Sequence, residues 1–461
     1  MLHFATPLPP ELDPAFTPAV LWNRAYQQLV RQDAQARSCS LALEQPGGAV
    51  AVFPLRLLPD ESQHAALTQR YVERMVKFLL WQRGGSRLWV GGASEVAAML
   101  AATYSQAGAR AFDDAVVGRK IYLEPLTVRS VPLQEMPAEH QPAVVLGRHL
   151  QGCRIGFDLG GSDRKTSAVI DGKVVFTEEV PWDPYFQKDP NYHLEGIRHS
   201  LKRAAEHLPR VDAIGGSAAG TYVNNEVRAA SLFRGISEAD HARHVRGIFH
   251  TLQKEWGGIP FEVINDGEVT ALAGSMSLGE NPVLGISMGT STASGYVDAH
   301  GHLTTWLNEL AFAPIDYRED APLDEWSQDR GCGVQYFSQQ GVARLASIAG
   351  IVLPDAMPLA ERLVEVQMLM KAGDARAASI YRTIGTCFGY ALAHYADFLP
   401  LKNVLVLGRV TSGVGGEIIL ENARQVLREI FPELGGVNLT MPDEQMKRHG
   451  QAVAAASLPQ A

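Results

Sequence analysis

Three glycine-rich turns and one Asn-Asp pair carry the side chains of this sequence that could do chemistry. The first turn, Asp158-Leu159-Gly160-Gly161-Ser162, sits inside RIGFDLGGSDRKTSAV (154–169), with Lys165 and Thr166 just beyond it. Gly160 and Gly161 lack the Cβ atoms that would hold an anion away from backbone N–H groups, and Ser162 and Lys165 set further donors beside them. Asp158, at the end of the apolar run, could hold Mg²⁺ through water against the phosphates of a nucleotide. The same run also reads as an ordinary hairpin turn. Asn265-Asp266-Gly267 closes a strand-like FEVIN and opens an Ala-rich helix, so Asp266 falls at a strand's carboxyl end, where α/β proteins bind ligands. There Asp266 could accept the proton of an attacking hydroxyl, a role typically worth roughly 10²–10⁴ in rate, with Asn265 orienting the same substrate. Asn-Asp-Gly is also a strong turn former. The second glycine turn, Gly289-Thr290-Ser291, joins two strand-like runs over 283–297, and two such hairpins could grip a polyphosphate. The third, from Gly408 to Gly415-Gly416, follows the buried-type strand 403–407 and suits a nucleoside pocket. Gly220 ends a small-residue run, GGSAAG, that permits either close approach of a ligand or a crowded helix–sheet contact.

Strands and helices in alternation must position these residues, and the composition agrees. A chain of 461 residues exceeds one ordinary core, so two or three domains are expected. With 46% hydrophobic and 20% charged residues the pattern is that of a soluble globular protein. A formal net charge of −9, without a Lys/Arg block, argues against nucleic acid as a partner and for a small molecule. Cys39, Cys153, Cys332 and Cys387 are scattered, so neither a disulfide framework nor a sequence-local zinc cage is indicated, and a cytoplasmic location is the default. No secretory leader and no membrane-spanning run is visible. Residues 1–131 read as an appended α/β domain, with helices over 17–36, 69–81 and 94–104 and strands over 49–58 and 87–90. Arg70, Arg74 and Lys77 there read as a solvated or salt-bridged helix face, and Ser94 as an N-cap. The Pro-rich stretch that follows marks a linker, taken as 132–152.

The ordered set DLGGS (158–162), INDG (264–267), GISMGTSTASGYV (285–297), LVLGRVTSGVGG (405–416) and HGQAVAAASL (449–458) resembles the ROK sugar kinases of the actin-like ATPase superfamily, over about residues 153–461. The resemblance implies an α/β fold of two ribonuclease-H-like lobes around a central cleft, 153–268 with a returning helix 443–458, and 269–442. It implies ATP and Mg²⁺ as cofactors, a sugar-like substrate and a homodimer. Asp158, Gly160, Gly161 and Ser162 then match the first phosphate segment, with Lys165 as a further contact. Gly289, Thr290 and Ser291 match the second, and Gly408, Gly415 and Gly416 fall in the adenosine segment. Asp266 matches the catalytic base, and Asn265, Glu309 and Gly220 are expected at the substrate.

Departures from the family pattern bear on specificity. Phe312 stands three positions after Glu309, where these kinases carry a sugar-binding His, and the family's zinc cysteines are reduced to Cys332. Four zinc ligands cannot be assembled there, so no zinc site is expected. An apolar ring in place of a hydrogen-bonding group would change or abolish selection of an ordinary hexose. The reading is an ATP-dependent kinase of a sugar or sugar-like hydroxyl compound. The alternative is a non-catalytic ligand sensor of the same fold. A ROK-type repressor would need a helix-turn-helix ahead of the kinase-like part, whereas the N-terminal block mixes strands with helices and lacks a basic recognition helix; an iron–sulfur activator ATPase would need cysteines placed for a cluster, and four scattered ones are poor support.

Overall fold

The structure is a computed structural model and describes residues 2, 4–60, 62–141, 146–442 and 450–460. Its contacts divide the chain into two compact units, one comprising Met1–Pro142, Ser287–Ala293 and Thr305–Thr440, the other Ala143–Ile286, Ser294–Thr304 and Met441–Ala461. The architecture is mixed α/β, and no described helix is long and apolar enough to cross a membrane. Part of the returning segment expected over 443–458, from 443 to 449, lies outside the described residues.

In the first unit the strands Val50–Leu57, Arg37–Glu44, Arg87–Gly91 and Thr127–Val131 form a sheet in that order, antiparallel except for the last pair. Pro54 is tolerated because its strand is at the edge, where the missing N–H leaves no ladder bond unmade. The helix Ser62–Arg83 is longer than the 69–81 periodicity predicts. Its face Tyr71, Val72, Met75, Val76 and Phe78 to Trp81 is buried, and Arg74 and Lys77 are buried with it. Their charges are met by carboxylates: Lys77 Nζ lies 2.6 Å from Asp113, and Arg74 lies 3.1 Å from Asp329 and 2.6 Å from Glu73. Of the two readings of this basic face, the salt-bridged one holds for these residues. Ser94 begins its helix as the first helical residue, after Ala93 in the capping position, and no side chain caps it.

The second unit is built on a five-stranded sheet, ordered Phe261–Asn265, Ala213–Ala218, Cys153–Leu159, Asp163–Ile170, Lys173–Pro181. The first three strands are parallel and the last two continue as an antiparallel meander. The helix Gln451–Ala456 lies so close to this sheet that a Cβ on Gly156 or Gly215 would run into the carbonyl oxygens of Ala452 and Ala455. Arg154 fastens the end of that helix, donating to the carbonyls of Ala456 and Pro459 at 3.3 and 2.8 Å. At Gly215 and Gly216 the small-residue run therefore serves helix–sheet and ring packing, with Phe157 covering Gly216.

Candidate functional site

Parallel register decides which residues meet in the second unit. Asp158 is opposite Ser217, Leu159 opposite Ala218, and Ala218 opposite Asn265, so Asp158, Ser217 and Asn265-Asp266 share the carboxyl edge of three adjacent strands. One strand separates Asp158 from Asp266, which at ordinary strand spacing sets their backbones roughly 10 Å apart. Ser217 Oγ donates to Asp158 Oδ1 at 2.7 Å. Burial nevertheless raises the Asp158 pKa above the usual carboxylate range, since one hydroxyl replaces only part of the lost hydration.

Asp266 opens the helix Asp266–Leu278, and its Oδ1 accepts from the Gly267 N–H at 3.0 Å. That position favours a carboxylate electrostatically. Burial and then the charge of Asp158 outweigh the benefit, and the pKa is pushed up to about 6. Tyr222, on the strand Thr221–Val223, has its phenol pKa raised by burial and by the charges of Asp266 and Asp158, and it donates to the Ala219 carbonyl at 3.1 Å. Asn265 is fixed at both ends of its amide: Oδ1 caps the helix through Gly267 N–H at 2.7 Å, and Nδ2 donates to the Gly220 carbonyl at 2.7 Å. Gly220 has φ +128°, a conformation that favours glycine.

The first glycine turn is a tight hairpin. Gly160 N–H donates to the Asp163 carbonyl at 3.0 Å, with Gly161-Ser162 at the tip. Trp182 braces it from behind, its Nε1 donating to the Gly160 carbonyl at 2.7 Å and its N–H to the Ser162 carbonyl at 3.0 Å. A Cβ on Gly161 would collide with the Tyr185 hydroxyl. The donors expected for phosphate face a carboxylate: Ser162 Oγ donates to Asp163 at 2.9 Å, and Lys165 Nζ lies 3.4 Å from the other oxygen of the same side chain. Asp163 is a residue to which the sequence analysis assigned no role.

The other expected residues belong to the first unit. Thr290 and Ser291 are exposed at the tip between the strands Val283–Met288 and Thr292–Val297, with Gly289 N–H donating to the Ser291 carbonyl at 2.9 Å. Gly408, at φ +104°, lies directly against this segment: a Cβ there would meet the carbonyl carbon and nitrogen of Met288 at 2.6 and 2.7 Å. The second and third glycine segments are thus adjacent. Gly415 and Gly416 are buried in the first turn of the helix Val414–Ile430, and Gly415 makes room for the Tyr381 ring. Glu309 is half-buried and its N–H donates to the Trp81 carbonyl at 2.9 Å. Phe312 packs on Trp81 with its ring tilted by 39° and 4.4 Å between centroids, and lies 5.7 Å from Phe112. Cys332 is buried beside Asp329, and burial drives its thiol pKa upward. Among the described residues no group of three or more His, Cys, Asp or Glu side chains gathers where it could hold a metal ion.

No protein-family model matches the chain, and no curated protein does. Solved structures are similar to it. The ROK hexokinase from Thermus thermophilus aligns with a TM-score of 0.52 and 20% identity, over 66% of this chain and 96% of that one. The ROK family glucokinase from Streptomyces griseus, solved with glucose and AMPPNP, aligns at 21% identity and a TM-score of 0.49, over 66% and 98%. The likeness to the hexokinase is one of fold: about two thirds of this chain has the α/β architecture of a ROK sugar kinase.

Proposed function

We propose that the protein is a divergent ROK-type kinase that uses ATP to phosphorylate a hydroxyl of a sugar or sugar-like compound, with Asp266 as general base. The observation that carries this reading is the Asp266 carboxylate, at the carboxyl end of a parallel strand, with its pKa pushed up to about 6 on a fold similar to a ROK hexokinase. A base works best when its pKa is near the operating pH, so that it is ionised yet still drawn to the proton. Asp158 and Asp266, two carboxylates whose pKa values burial raises, with the charge of Asp158 adding to the rise at Asp266, fit a nearby divalent cation, and Asp158 is the residue that would hold Mg²⁺ through water. When bound, ATP·Mg²⁺ supplies the phosphoryl group to be transferred; the chain's part is to position and deprotonate the acceptor.

The first turn fits a phosphate only conditionally, because Ser162 and Lys165 become available when the Asp163 carboxylate gives way. Gly160 and Gly161 would then bring backbone close to the phosphates, and Gly289, Thr290, Ser291, Gly408, Gly415 and Gly416 would hold the remainder of the nucleotide. Glu309 and the Gly220–Asn265 pair would shape the acceptor side, and two ribonuclease-H-like lobes and a homodimer belong to the same proposal. The second reading, a non-catalytic sensor, is favoured by the hold of Asp163 on both phosphate donors. ADP release from ATP·Mg²⁺ across hexoses, amino sugars, N-acetylated sugars and polyols, with Asp266→Asn in parallel, separates them. Acceptor-dependent ADP that the variant loses by about 10² or more supports the kinase; ligand binding without turnover supports the sensor.

A further inference from the structure

Outside the strand-end carboxylates, the second unit contains a cavity of about 590 Å³ lined by Arg164, Trp182, Gln187, Asn191 and Tyr192, among others. Arg164 is its distinctive member. The residue is only 7% exposed, yet no carboxylate among the described residues lies within ion-pair distance of it. Nη1 donates to the Gly196 carbonyl and, at 2.9 Å, to Ser200 Oγ, while Nε is buried without a partner. Burial lowers its pKa, and Tyr192 and Glu178 oppose that only in part; Glu178 pairs with Arg203 instead, at 3.3 Å. Burying a guanidinium without a counter-anion is costly, so a fold that keeps one has a reason beyond stability.

The fold makes room for this cation. Gly196 interrupts the helix Pro190–Ala205, where glycine is unfavourable, and a Cβ there would press on Arg164 Nη1 at 3.2 Å and Cζ at 3.3 Å. The Arg164 Cζ also lies 5.4 Å from the Trp182 ring centre. Trp182 and Tyr192 lie nearly parallel, 17° apart with centroids at 6.3 Å. They offer flat apolar surface, and Gln187 and Asn191 add amides able to bond hydroxyl groups. The acidic rim residues Asp189 and Glu195 disfavour a dianion. We propose that this cavity binds a small polyhydroxylated monocarboxylate, of the sugar-acid class, with Arg164 receiving the carboxylate. The proposal is independent of the kinase reading.

Calorimetry on the full chain with D-glucuronate as probe, and with glucose and inorganic phosphate as controls, tests it. Saturable binding of glucuronate, at least tenfold weaker for glucose and phosphate, is expected. Arg164→Met should abolish it. Because Arg164 also anchors the helix, Gln187→Glu is the second variant: it adds a negative charge at the half-buried rim and should weaken glucuronate at least tenfold, while its melting temperature falls only slightly through loss of the exposed hydrogen bond from Gln187 Nε2 to the Asp183 carbonyl at 2.9 Å. Asp266→Asn should leave the affinity unchanged, which separates this cavity from the strand-end site. Equal affinity for glucose and glucuronate, no glucuronate heat, or binding indifferent to Gln187→Glu overturns the proposal.

Discussion

Replacing Asp266 with Asn should stabilise the ligand-free protein at pH 8 and do so less and less as the pH falls. The carboxyl is held at a pKa of about 6, against an ordinary value of 3.8. Two pH units at 1.36 kcal/mol each amount to about 3 kcal/mol. The sign follows from the direction of the shift. The native state binds this proton more tightly than the unfolded chain, so its contribution is fully present below pH 3.8 and is lost as pH rises through about 6. Above pH 7 the native protein therefore carries an ionised carboxylate at a cost of about 3 kcal/mol, which the amide does not incur. The Asn oxygen can still accept from the Gly267 N–H, so the helix start is kept. Thermal unfolding in ligand-free buffer should show the variant melting on the order of 5–10 °C higher at pH 8, with the gap closing by pH 4. A gap of constant size across that range, or a variant less stable at pH 8, would refute the buried, charge-opposed carboxylate from which general-base behaviour is argued.

Asp163→Asn should leave the hairpin intact while freeing Lys165 and Ser162 from a charged partner, so AMPPNP affinity measured by calorimetry should rise several-fold; an unchanged or lower affinity would dissociate this turn from nucleotide binding. His394 is buried among Phe78, Tyr317 and Phe398 with both ring nitrogens unpartnered, and burial lowers its pKa to about 3. Its neutral form contributes stability that is complete above pH 6.5 and drains away as pH falls toward 3, so His394→Leu should unfold at distinctly lower pH in acid titrations followed by circular dichroism. Asp329→Ala removes the carboxylate facing Arg74, Lys77 and Arg110, leaving buried cations under-compensated, and should cost about 3–5 kcal/mol in urea unfolding. A loss below about 1 kcal/mol would mean that the cluster is solvated.

What could be read from the sequence was the local grammar of strand, glycine turn and helix. The strand Cys153–Leu159, the strand Phe261–Asn265 with Asp266 opening a helix, and the strand Asn403–Leu407 all follow from apolar runs ended by turn residues. Register was not legible. That Ser217 would donate to Asp158, or that Gly408 would lie against Met288, depends on which strand pairs with which, and single-chain periodicity does not encode it. Electrostatics inside the turn was equally hidden. Ser162, Asp163 and Lys165 look like a run of polar residues until the hairpin folds two donors onto the one acceptor between them. The basic residues of Ser62–Arg83 were ambiguous for a related reason: amphipathic spacing marks a face, but only distant carboxylates such as Asp329 decide whether charge on that face is solvated or buried.

The two departures from the kinase pattern have one physical explanation within the first unit. Residues 307–309 donate successive backbone N–H groups to the carbonyls of Arg83, Gln82 and Trp81, at 3.2, 3.0 and 2.9 Å, along the end of the helix Ser62–Arg83. Phe312 then presses its ring on Trp81 of the same helix, where an imidazole in its place would bring polar nitrogens against an aromatic surface. One and two turns earlier on that helix, Lys77 and Arg74 meet Asp329, and the Cys332 thiol sits 3.8 Å from the same carboxylate. Buried ion pairs and a closely packed ring thus tie this loop to the helix. On these contacts, Phe312 and the solitary Cys332 are the complement of the helix Ser62–Arg83, and their residue types follow from the helix they pack against.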